Sequence, residues 1–368
     1  MEYEAYIICH QGVEEATIKE LKLQGVSSSK IRIIGRGIIG FKESMERIIY
    51  LLHYLKTPLR MGILLGVIDD KEGIEERIRD IDFSVIGSFK ARSMRVRYAH
   101  SHELEARIAS VILEKLMERK IDLKVDLEDP DLEFFLYTTN KTIVGISLDG
   151  FNLDKRTYKL YSIGMDLKPS LASSLLMLTG IEKHETVLDP FCGSGVIIIE
   201  ALSILNNLPV ERPYDYIYEK MGIEKPDIKK SQTARYGKRV YAMDYIPAHL
   251  DITRKNSKII GLDRLINFSR IDPFFLSFKL DQLGNISLIA THGPVMAMNK
   301  DRYKKIISMF IEEIKPFINK DFILGFIAPS IGIGNIFKSE IMKHMGRVRE
   351  YTALSGKRHY NIYVYEGL

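Results

Sequence analysis

One short stretch of the sequence combines a carboxylate, two glycines and a helix start in the order that a nucleoside ligand requires. Residues 186–189 form an apolar run that ends in Asp189 and predicts a buried strand. Gly193 and Gly195 follow as a G-x-G loop, in which the missing Cβ atoms permit a sharp turn and close approach by a ligand. Helical periodicity resumes at Val196. This order predicts a ligand site at a strand end of an open α/β sheet.

Other interpretations of the same loop are weaker. The sequence contains no G-x-x-x-x-G-K-[ST] phosphate loop, and Ile198 stands where a dinucleotide fingerprint has its third glycine. A lone G-x-G loop is a simple turn about as often as it is a ligand site, so neighbouring strands must decide.

A second strand end carries an acid in a similar position. The run 240–244 ends in Asp244, which is placed to bond ribose hydroxyls, with Tyr245 beside an adenine ring. The run 266–270 is followed by Asp272. Acids after three successive strands favour a cofactor-binding α/β fold over a chance turn.

The segment D-P-F-C-G-S-G-V-I-I-I-E-A at residues 189–201 resembles motif I of the Rossmann-fold methyltransferases that use S-adenosylmethionine. It is most similar to the branch that modifies the exocyclic 2-amino group of guanosine in RNA. The resemblance implies that Asp189 accepts from the methionine ammonium group, that loop 193–195 passes beneath the sulfonium, and that Asp272 approaches the adenine amino group. The cofactor-binding residues expected on this basis are Asp189, Pro190, Phe191, Gly193, Gly195, Asp244, Tyr245 and Asp272.

The acceptor motif departs from the family pattern. After the strand at 286–291 the family has N/D-P-P-Y, whereas this chain has His292, Gly293, Pro294 and Val295. In the family the Asn or Asp and a proline carbonyl accept the hydrogens of a poorly nucleophilic amine, and the aromatic residue stacks on the base. Losing one polar contact and the aromatic ring costs about 4–7 kcal/mol of an acceleration worth ~8–23 kcal/mol.

Two interpretations of this motif stay open. A neutral His292 has one acceptor nitrogen and the Gly293 carbonyl remains, so we assign His292, Gly293 and Pro294 as the catalytic residues. Alternatively, His292 is a drifted loop residue in a protein that binds the cofactor and tRNA but no longer transfers a methyl group. A nucleophilic Cys192 is disfavoured because it lies in the cofactor loop.

The amino-terminal half contains a basic stretch, F-K-A-R-S-M-R-V-R-Y, at residues 89–98. A strand edge kept basic against edge pairing accounts for it as well as an RNA contact does. However, this stretch, the helix after it and the segment L-D-K-R-T-Y at 153–158 resemble a THUMP domain and its junction to a methyltransferase. That resemblance implies tRNA acceptor-end binding, with phosphate contacts from Lys90, Arg92, Arg95, Arg97, Lys155 and Arg156.

The expected fold class is α/β. A mostly parallel seven-stranded Rossmann-fold sheet is expected in the carboxy-terminal part of the chain, after α+β amino-terminal domains. The predicted domains are a ferredoxin-like domain at 1–60, a THUMP domain at 61–155, a linker at 156–164 and the methyltransferase domain at 165–368. The polar stretch 206–238 is expected to be an insertion over the site or the substrate path.

Composition sets the remaining expectations. The net charge of +5 is modest, so a nucleic-acid partner must be held by local patches. Two cysteines cannot form a disulfide framework, and no metal site is expected. No apolar run reaches the ~18–20 residues of a membrane span, so we expect a cytoplasmic monomer whose partners are tRNA and S-adenosylmethionine. A small-molecule or protein methyltransferase is disfavoured by the long amino-terminal half.

Overall fold

The computed structural model describes residues 1–69, 73–98, 102–164, 166–228, 239–272, 275–283, 286–293, 300–328, 331–344 and 346–367. The chain divides into two compact units. The first contains residues 1–9, 21–153 and 212–229, and the second contains residues 10–20, 154–211 and 230–368. Within the described ranges, no helix is both long enough and apolar enough to cross a membrane.

The first unit is built on one eight-stranded sheet, with strand order β2-β3-β1-β4-β8-β7-β5-β6. Its strands are β1 (Glu2–Ile8), β2 (Ile31–Gly35), β3 (Ile38–Ser44), β4 (Arg60–Ile68), β5 (Ser93–Tyr98), β6 (Lys124–Val125), β7 (Leu132–Thr138) and β8 (Thr142–Ser147). The helices α1 (Glu14–Leu23), α2 (Met45–Tyr54), α3 (Ile74–Ile78) and α4 (His102–Glu118) connect them.

The predicted boundary at residue 60 falls inside this sheet. β4 pairs antiparallel with β1 on one side and with β8 on the other. A separate domain ending at residue 60 would leave the backbone groups along one edge of β1 unpaired, and the continuous sheet satisfies them.

The second unit is built on a seven-stranded sheet with strand order β11-β10-β9-β12-β13-β15-β14. β15 runs antiparallel to β13 and β14, whereas the other pairings are parallel. The predicted mostly parallel seven-stranded sheet is confirmed, and its last two strands form an antiparallel hairpin. The strands are β9 (Thr186–Asp189), β10 (Arg239–Asp244), β11 (Ile266–Arg270), β12 (Leu288–His292), β13 (Ile323–Ala328), β14 (Arg347–Ser355) and β15 (Arg358–Glu366).

Helices pack against both faces of this sheet, and its central strands β9, β12 and β13 are accordingly almost entirely buried. Val187 of β9 packs into the core on one face and Leu188 into the core on the other. The helices of this part of the chain are α5 (Pro169–Thr179), α6 (Val196–Leu205), α7 (Ile217–Lys220), α8 (Pro247–Ile259), α9 (Leu276–Leu283), α10 (Lys300–Ile314) and α11 (Ile331–Ile341), with α7 belonging to the first unit.

Two segments lie in a different unit from the one predicted. Residues 10–20 belong to the second unit, where His10 Nε2 is 2.8 Å from Ser170 Oγ and Gln11 pairs with Leu354. Residues 212–229 belong to the first unit, where the Arg212 guanidinium donates to the backbone carbonyls of Leu52, Leu55 and Leu153. Residues 212–228 of the expected insertion therefore belong to the first unit, whereas residues 206–211 belong to the second.

Candidate functional site

The sheet of the second unit opens a cleft at the point where its strand order reverses. β9 has β10 on one side and β12 on the other, so the loops after these strands diverge at their carboxyl ends. The cleft encloses about 560 Å³, part of it open to solvent. It is lined by Ile163, Asp166, Leu167, Asp189, Phe191, Cys192, Gly193, Ser194, Val196, Ile197, Asp244, Tyr245, Ile246, His249, His292 and Gly293.

The glycine loop forms the floor of the cleft because its backbone lies close to its neighbours. Gly193 has φ +54°, and a Cβ there would lie 2.9 Å from Ile163 Cδ1. Gly195 has φ +84°, and a Cβ there would lie 2.5 Å from Thr253 Cγ2. Only glycine fits both positions without strain.

The predicted cofactor residues Pro190 and Gly195 are not among those that line the cleft, and their contact with the cofactor stays a prediction. Gly195 is the residue before α6, and its N–H donates to the Cys192 carbonyl at 2.7 Å. Both residues shape the loop that carries Phe191 and Gly193 to the cleft.

Asp189 lies at the base of the cleft and is 1% exposed. Its Oδ1 accepts from Thr291 Oγ1 at 2.7 Å and from the Phe191 N–H at 3.1 Å. Burial raises the pKa of Asp189 to about 7; the two hydrogen bonds oppose this rise and the charge of Asp244 adds to it. A cationic group in the cleft would favour the ionised form.

Asp244 holds the glycine loop in place. Its Oδ2 accepts from the Gly193 N–H at 3.1 Å and lies 3.0 Å from His249 Nδ1, while its Oδ1 accepts from the Ile246 N–H at 2.9 Å. A carboxylate has about four lone-pair sites, so Asp244 keeps capacity for one more donor from the cleft. Tyr245 also lines the cleft, as predicted.

Asp272 is not among the residues that line the cleft, and its approach to an adenine amino group stays a prediction. It is exposed and follows the edge strand β11, one strand further from β9 than Asp244 is. Distance along the sheet, which spacing in the sequence does not encode, separates it from the other two acids.

His292 closes the opposite side of the cleft at the end of β12. Its Nε2 is buried and has no hydrogen-bond partner among the residues that the structure describes. Burial, assisted by the charge of Lys159, lowers the pKa of His292 to about 4, so the imidazole is neutral at physiological pH. A buried acceptor without a partner is unfavourable unless a ligand satisfies it.

Gly293 leaves no room for a larger residue. A Cβ there would lie 2.4 Å from Phe326 Cζ and 2.8 Å from the Tyr303 hydroxyl. The Phe326 ring thus fills the space that a side chain at this position would need. Pro294, the third predicted catalytic residue, lies outside the described residues.

Sequence reasoning missed several residues of the cleft. Asp166 lines it, and its Oδ1 accepts from Ser194 Oγ at 2.5 Å while Lys159 Nζ lies 3.8 Å from its Oδ2. Ile163, from the predicted linker, and His249 complete the wall. The one sequence feature that could have indicated Asp166 is its position just before helix α5. A carboxylate in a loop at that position is ordinary and does not by itself predict a ligand site.

Cys192 is not a nucleophile in this setting. Its thiol is buried, and burial together with the charge of Asp189 raises its pKa well above the ordinary value. Its Sγ lies 3.5 Å from Thr253 Oγ1.

Three of the predicted RNA-binding residues are exposed in the first unit: Lys90, Arg92 and Arg97. Lys90 and Arg92 precede β5, so they do not continue the register of Arg95 and Arg97. Arg95 is half-buried and donates to Glu133 at 2.6 Å.

Arg95 forms an ion pair with the buried carboxylate of Glu133. Burial alone would raise the pKa of Glu133, yet the charges of Arg60 and Arg95 hold it below its ordinary value. Arg95 is therefore already partnered, and of the two strand arginines Arg97 is the more available to a phosphate, with a side chain 46% exposed.

In the second unit, Lys155 is exposed, but Arg156 is not available to RNA, and its predicted phosphate contact is corrected. The Arg156 side chain is 1% exposed and donates to Glu200 at 3.0 Å. Tyr158 and Ser173 donate to the same carboxylate at 2.8 and 2.7 Å. A buried, fully bonded ion pair of this kind is structural.

Comparison with known proteins shows that the chain is similar to methyltransferases. Residues 156–320 match the family described as UPF0020, an RMKL-like methyltransferase domain. Two curated relatives bear the name tRNA (guanine(6)-N2)-methyltransferase. The one from Archaeoglobus fulgidus is 26% identical over 86% of this chain and 80% of its own length. The one from Methanocaldococcus jannaschii is 27% identical over 94% of each chain.

Solved structures share the fold along the whole chain. A possible methylase from Clostridium difficile superposes with a TM-score of 0.77 at 20% identity, covering 100% of this chain and 99% of that one. TrmN from Thermus thermophilus superposes with a TM-score of 0.70 at 18% identity, covering 100% of both chains. At these identities the likeness establishes the fold.

Proposed function

We propose that this chain, whose residues 156–320 match the RMKL-like methyltransferase domain, methylates the exocyclic 2-amino group of a guanosine in tRNA, with S-adenosylmethionine as donor. The observation that carries the proposal is the cleft at β9, β10 and β12, in which two buried carboxylates flank the glycine loop. Two relatives named for this activity, each aligned over most of the chain, support the choice of substrate.

The residues of the cleft fit S-adenosylmethionine. The space above Gly193 would be reduced by any side chain, as expected where a ligand lies against backbone. Asp189 and the partly unsatisfied Asp166 offer carboxylate oxygens to an ammonium group, and Asp244 offers one to a ribose hydroxyl. When bound, the cofactor supplies a methyl group made electrophilic by its positive sulfur.

The chain's own residues would act on the guanine amine. Its lone pair is delocalised into the ring, so it becomes nucleophilic only when its hydrogens are held and the nitrogen turns pyramidal. In the tautomer with its proton on Nδ1, neutral His292 accepts one amine hydrogen at Nε2. Gly293, which also lines the cleft, supplies a carbonyl as the second acceptor.

The transfer balances without a strong base. When bound, S-adenosylmethionine would supply the methyl group and keep the electron pair of its sulfur, and the amine nitrogen that receives the methyl group would release one proton. With a pKa of about 4, His292 does not hold this proton at neutral pH, so it passes on to solvent. His292 therefore serves as an acceptor that orients the amine.

The first unit is proposed to bind the tRNA end, in line with its resemblance to a THUMP domain. Its exposed cations Lys90, Arg92 and Arg97, joined by Lys155, are the proposed phosphate contacts. We further propose that the chain acts in the cytoplasm as a monomer, which sedimentation of the chain with and without tRNA would test.

A second candidate function follows from Gly293. Because the Phe326 ring occupies the space beside it, this chain cannot return to the family's proline without repacking. A tRNA-binding protein that keeps the cofactor cleft but does not transfer is the alternative.

One experiment separates the two candidates. The purified chain is incubated with tritiated S-adenosylmethionine and unmodified tRNA transcripts, and the labelled nucleoside is identified after digestion. N2-methylguanosine supports the proposal. Cofactor binding by calorimetry together with salt-sensitive tRNA binding, but without label in tRNA, supports the alternative.

A further inference from the structure

A surface that combines cations with aromatic rings lies on the second unit, outside the residues predicted to bind RNA. Lys255 Nζ lies 5.3 Å from the centre of the Tyr161 ring, and the Arg254 guanidinium lies 4.5 Å from the centre of the Phe268 ring. We call Tyr161, Lys255, Arg254 and Phe268 the Tyr161 surface. Aromatic rings interleaved with cations are the pattern that single-stranded nucleic acid selects.

The Tyr161 ring is exposed although its backbone is held firmly. Tyr161 is 46% exposed, and its neighbour Leu160 is 71% exposed. The Tyr161 N–H donates to Asn256 Oδ1 at 3.1 Å, and its carbonyl accepts from Asn256 Nδ2 at 2.8 Å. Asn256 itself is fully buried. A large apolar ring presented to solvent by a rigid backbone is organised in advance for a stacking partner.

The same asparagine connects this surface to the cofactor cleft. Asn256 Nδ2 also donates to the Ser194 carbonyl at 2.9 Å, inside the glycine loop. Two residues after Tyr161 along the chain, Ile163 lines the cleft, and α8, which carries Lys255, starts just after the cleft residue Ile246. The Tyr161 surface is therefore joined to the glycine loop of the cofactor cleft by one buried side chain.

The charges around the ring favour a polyanion. Arg254, Lys255 and Lys258 are exposed on α8. The described acid closest in sequence, Asp251, lies 3.5 Å from Arg254 and neutralises only that residue in part. An acidic peptide would use the cations but not the exposed ring, whereas a nucleotide chain would use both, its phosphates pairing with Lys255 and Lys258 and a base stacking on Tyr161.

We propose that the Tyr161 surface binds an unpaired nucleotide of the RNA substrate other than the methylated one. This inference rests on the proposed function and adds a substrate requirement to it, namely a second single-stranded or opened nucleotide. It also assigns Asn256 as a positioning residue that holds the RNA platform and the cofactor loop in one geometry.

The test compares Tyr161→Ala with Tyr161→Phe, because stacking needs the ring and not the hydroxyl. With an unmodified tRNA transcript as probe, we expect Tyr161→Ala to weaken Kd roughly 5- to 150-fold. Tyr161→Phe should stay within twofold of the wild type, and calorimetry should show unchanged S-adenosylhomocysteine affinity in both. Lys255→Ala should lower the slope of log Kd against log salt by about 0.7–0.9.

A matched control is Lys343→Ala just after α11, an exposed lysine that pairs with Glu340 and does not line the cleft. It should change neither tRNA affinity nor the salt slope. Equal tRNA affinity and equal methylation in Tyr161→Ala and wild type would overturn the inference and leave the proposed function intact. If the wild type methylates no tRNA, the proposed function fails, whereas a loss of tRNA binding confined to Tyr161→Ala and Lys255→Ala would still support the surface.

Discussion

Asp189 shows how one buried carboxyl group can couple ligand binding to pH. Its oxygen is tied to Thr291 and Phe191, yet burial keeps the pKa near 7. Because the folded pKa lies above the ordinary value of 3.8, the carboxyl stabilises the ligand-free fold while protonated. That contribution is complete at about pH 4 and is lost as the pH rises through 7, at no more than roughly 1.4 kcal/mol per pH unit.

The affinity for S-adenosylmethionine should therefore rise with pH. The cationic ligand needs the ionised carboxylate, so we expect Kd to fall between pH 6 and 8, by at most about tenfold per unit. Asp189→Asn should bind weakly and without this pH dependence in calorimetry. Thr291→Val removes a hydrogen bond that lowers the pKa, so it should move the transition to higher pH. A wild-type affinity that is flat from pH 6 to 8 would contradict this account.

His292 is the residue on which methyl transfer depends in the proposed mechanism. His292→Ala removes a preorganised acceptor and should lower kcat roughly 100- to 1,000-fold, with little change in cofactor Kd. His292→Asn, which keeps an acceptor oxygen, should retain most of the rate. Because the pKa of His292 is about 4, the wild-type rate should show no acid limb from this group above about pH 5. Equal rates for the Ala and Asn variants would exclude the acceptor role.

At the scale of elements, the unit β9–loop–α6 depends on its contact with α8. Gly195 lies against Thr253 of α8, and Thr253 Oγ1 donates to the Gly193 carbonyl at 2.9 Å. The helix and the loop can approach this closely only because a glycine is there. The position of the cleft floor is therefore set by packing between two elements that are far apart in sequence.

Gly195→Ala should lower the free energy of unfolding by roughly 1–3 kcal/mol or more, from the positive φ and the contact with Thr253 Cγ2. Adding Thr253→Ser should recover part of the loss, because it removes the methyl group but keeps the hydroxyl. Gly261→Ala is the matched control, with φ +72° and open space around its Cβ position. It should show only the backbone strain. Denaturant unfolding of these three variants and of Thr253→Ser alone measures the coupling between Gly195 and Thr253.

At the scale of the whole molecule, the net charge of +5 does not mark an RNA-binding protein, and the role of each cation depends on its surroundings. Arg97 has a side chain 46% exposed and lies 3.8 Å from Glu133. Arg156 is buried against Glu200. Both residues are arginines, but Arg97 is available to a phosphate, whereas Arg156 forms a buried structural ion pair.

Substitution of the two arginines should affect different properties, namely tRNA binding for Arg97 and stability for Arg156. Arg97→Ala should reduce the salt slope of tRNA binding by about 0.7–0.9 with little change in stability. Arg156→Ala leaves the Glu200 charge buried and unpaired, so it should destabilise the protein by roughly 3–5 kcal/mol. Filter binding at several salt concentrations and thermal unfolding measure the two effects. Arg358→Ala, at an exposed hairpin end, should change neither quantity.

The sequence alone predicted what depends on local spacing. The strand ending at Asp189, the G-x-G loop and the helix start at Val196 were predicted with the bounds that the structure has. Periodicity and glycine positions suffice there because each element's pattern is imposed by its own backbone geometry. The seven-stranded sheet was implied by the resemblance to the Rossmann-fold methyltransferases.

Only the tertiary structure decided which of these residues meet. It brought Asp166 and His249 to the cleft, left Asp272 outside it, and joined β4 to both neighbouring strands across the predicted boundary at residue 60. It also buried Arg156 against Glu200, 44 residues away in the chain. Burial and electrostatic environment are set by neighbours from distant parts of the chain, and spacing along the sequence does not contain that information.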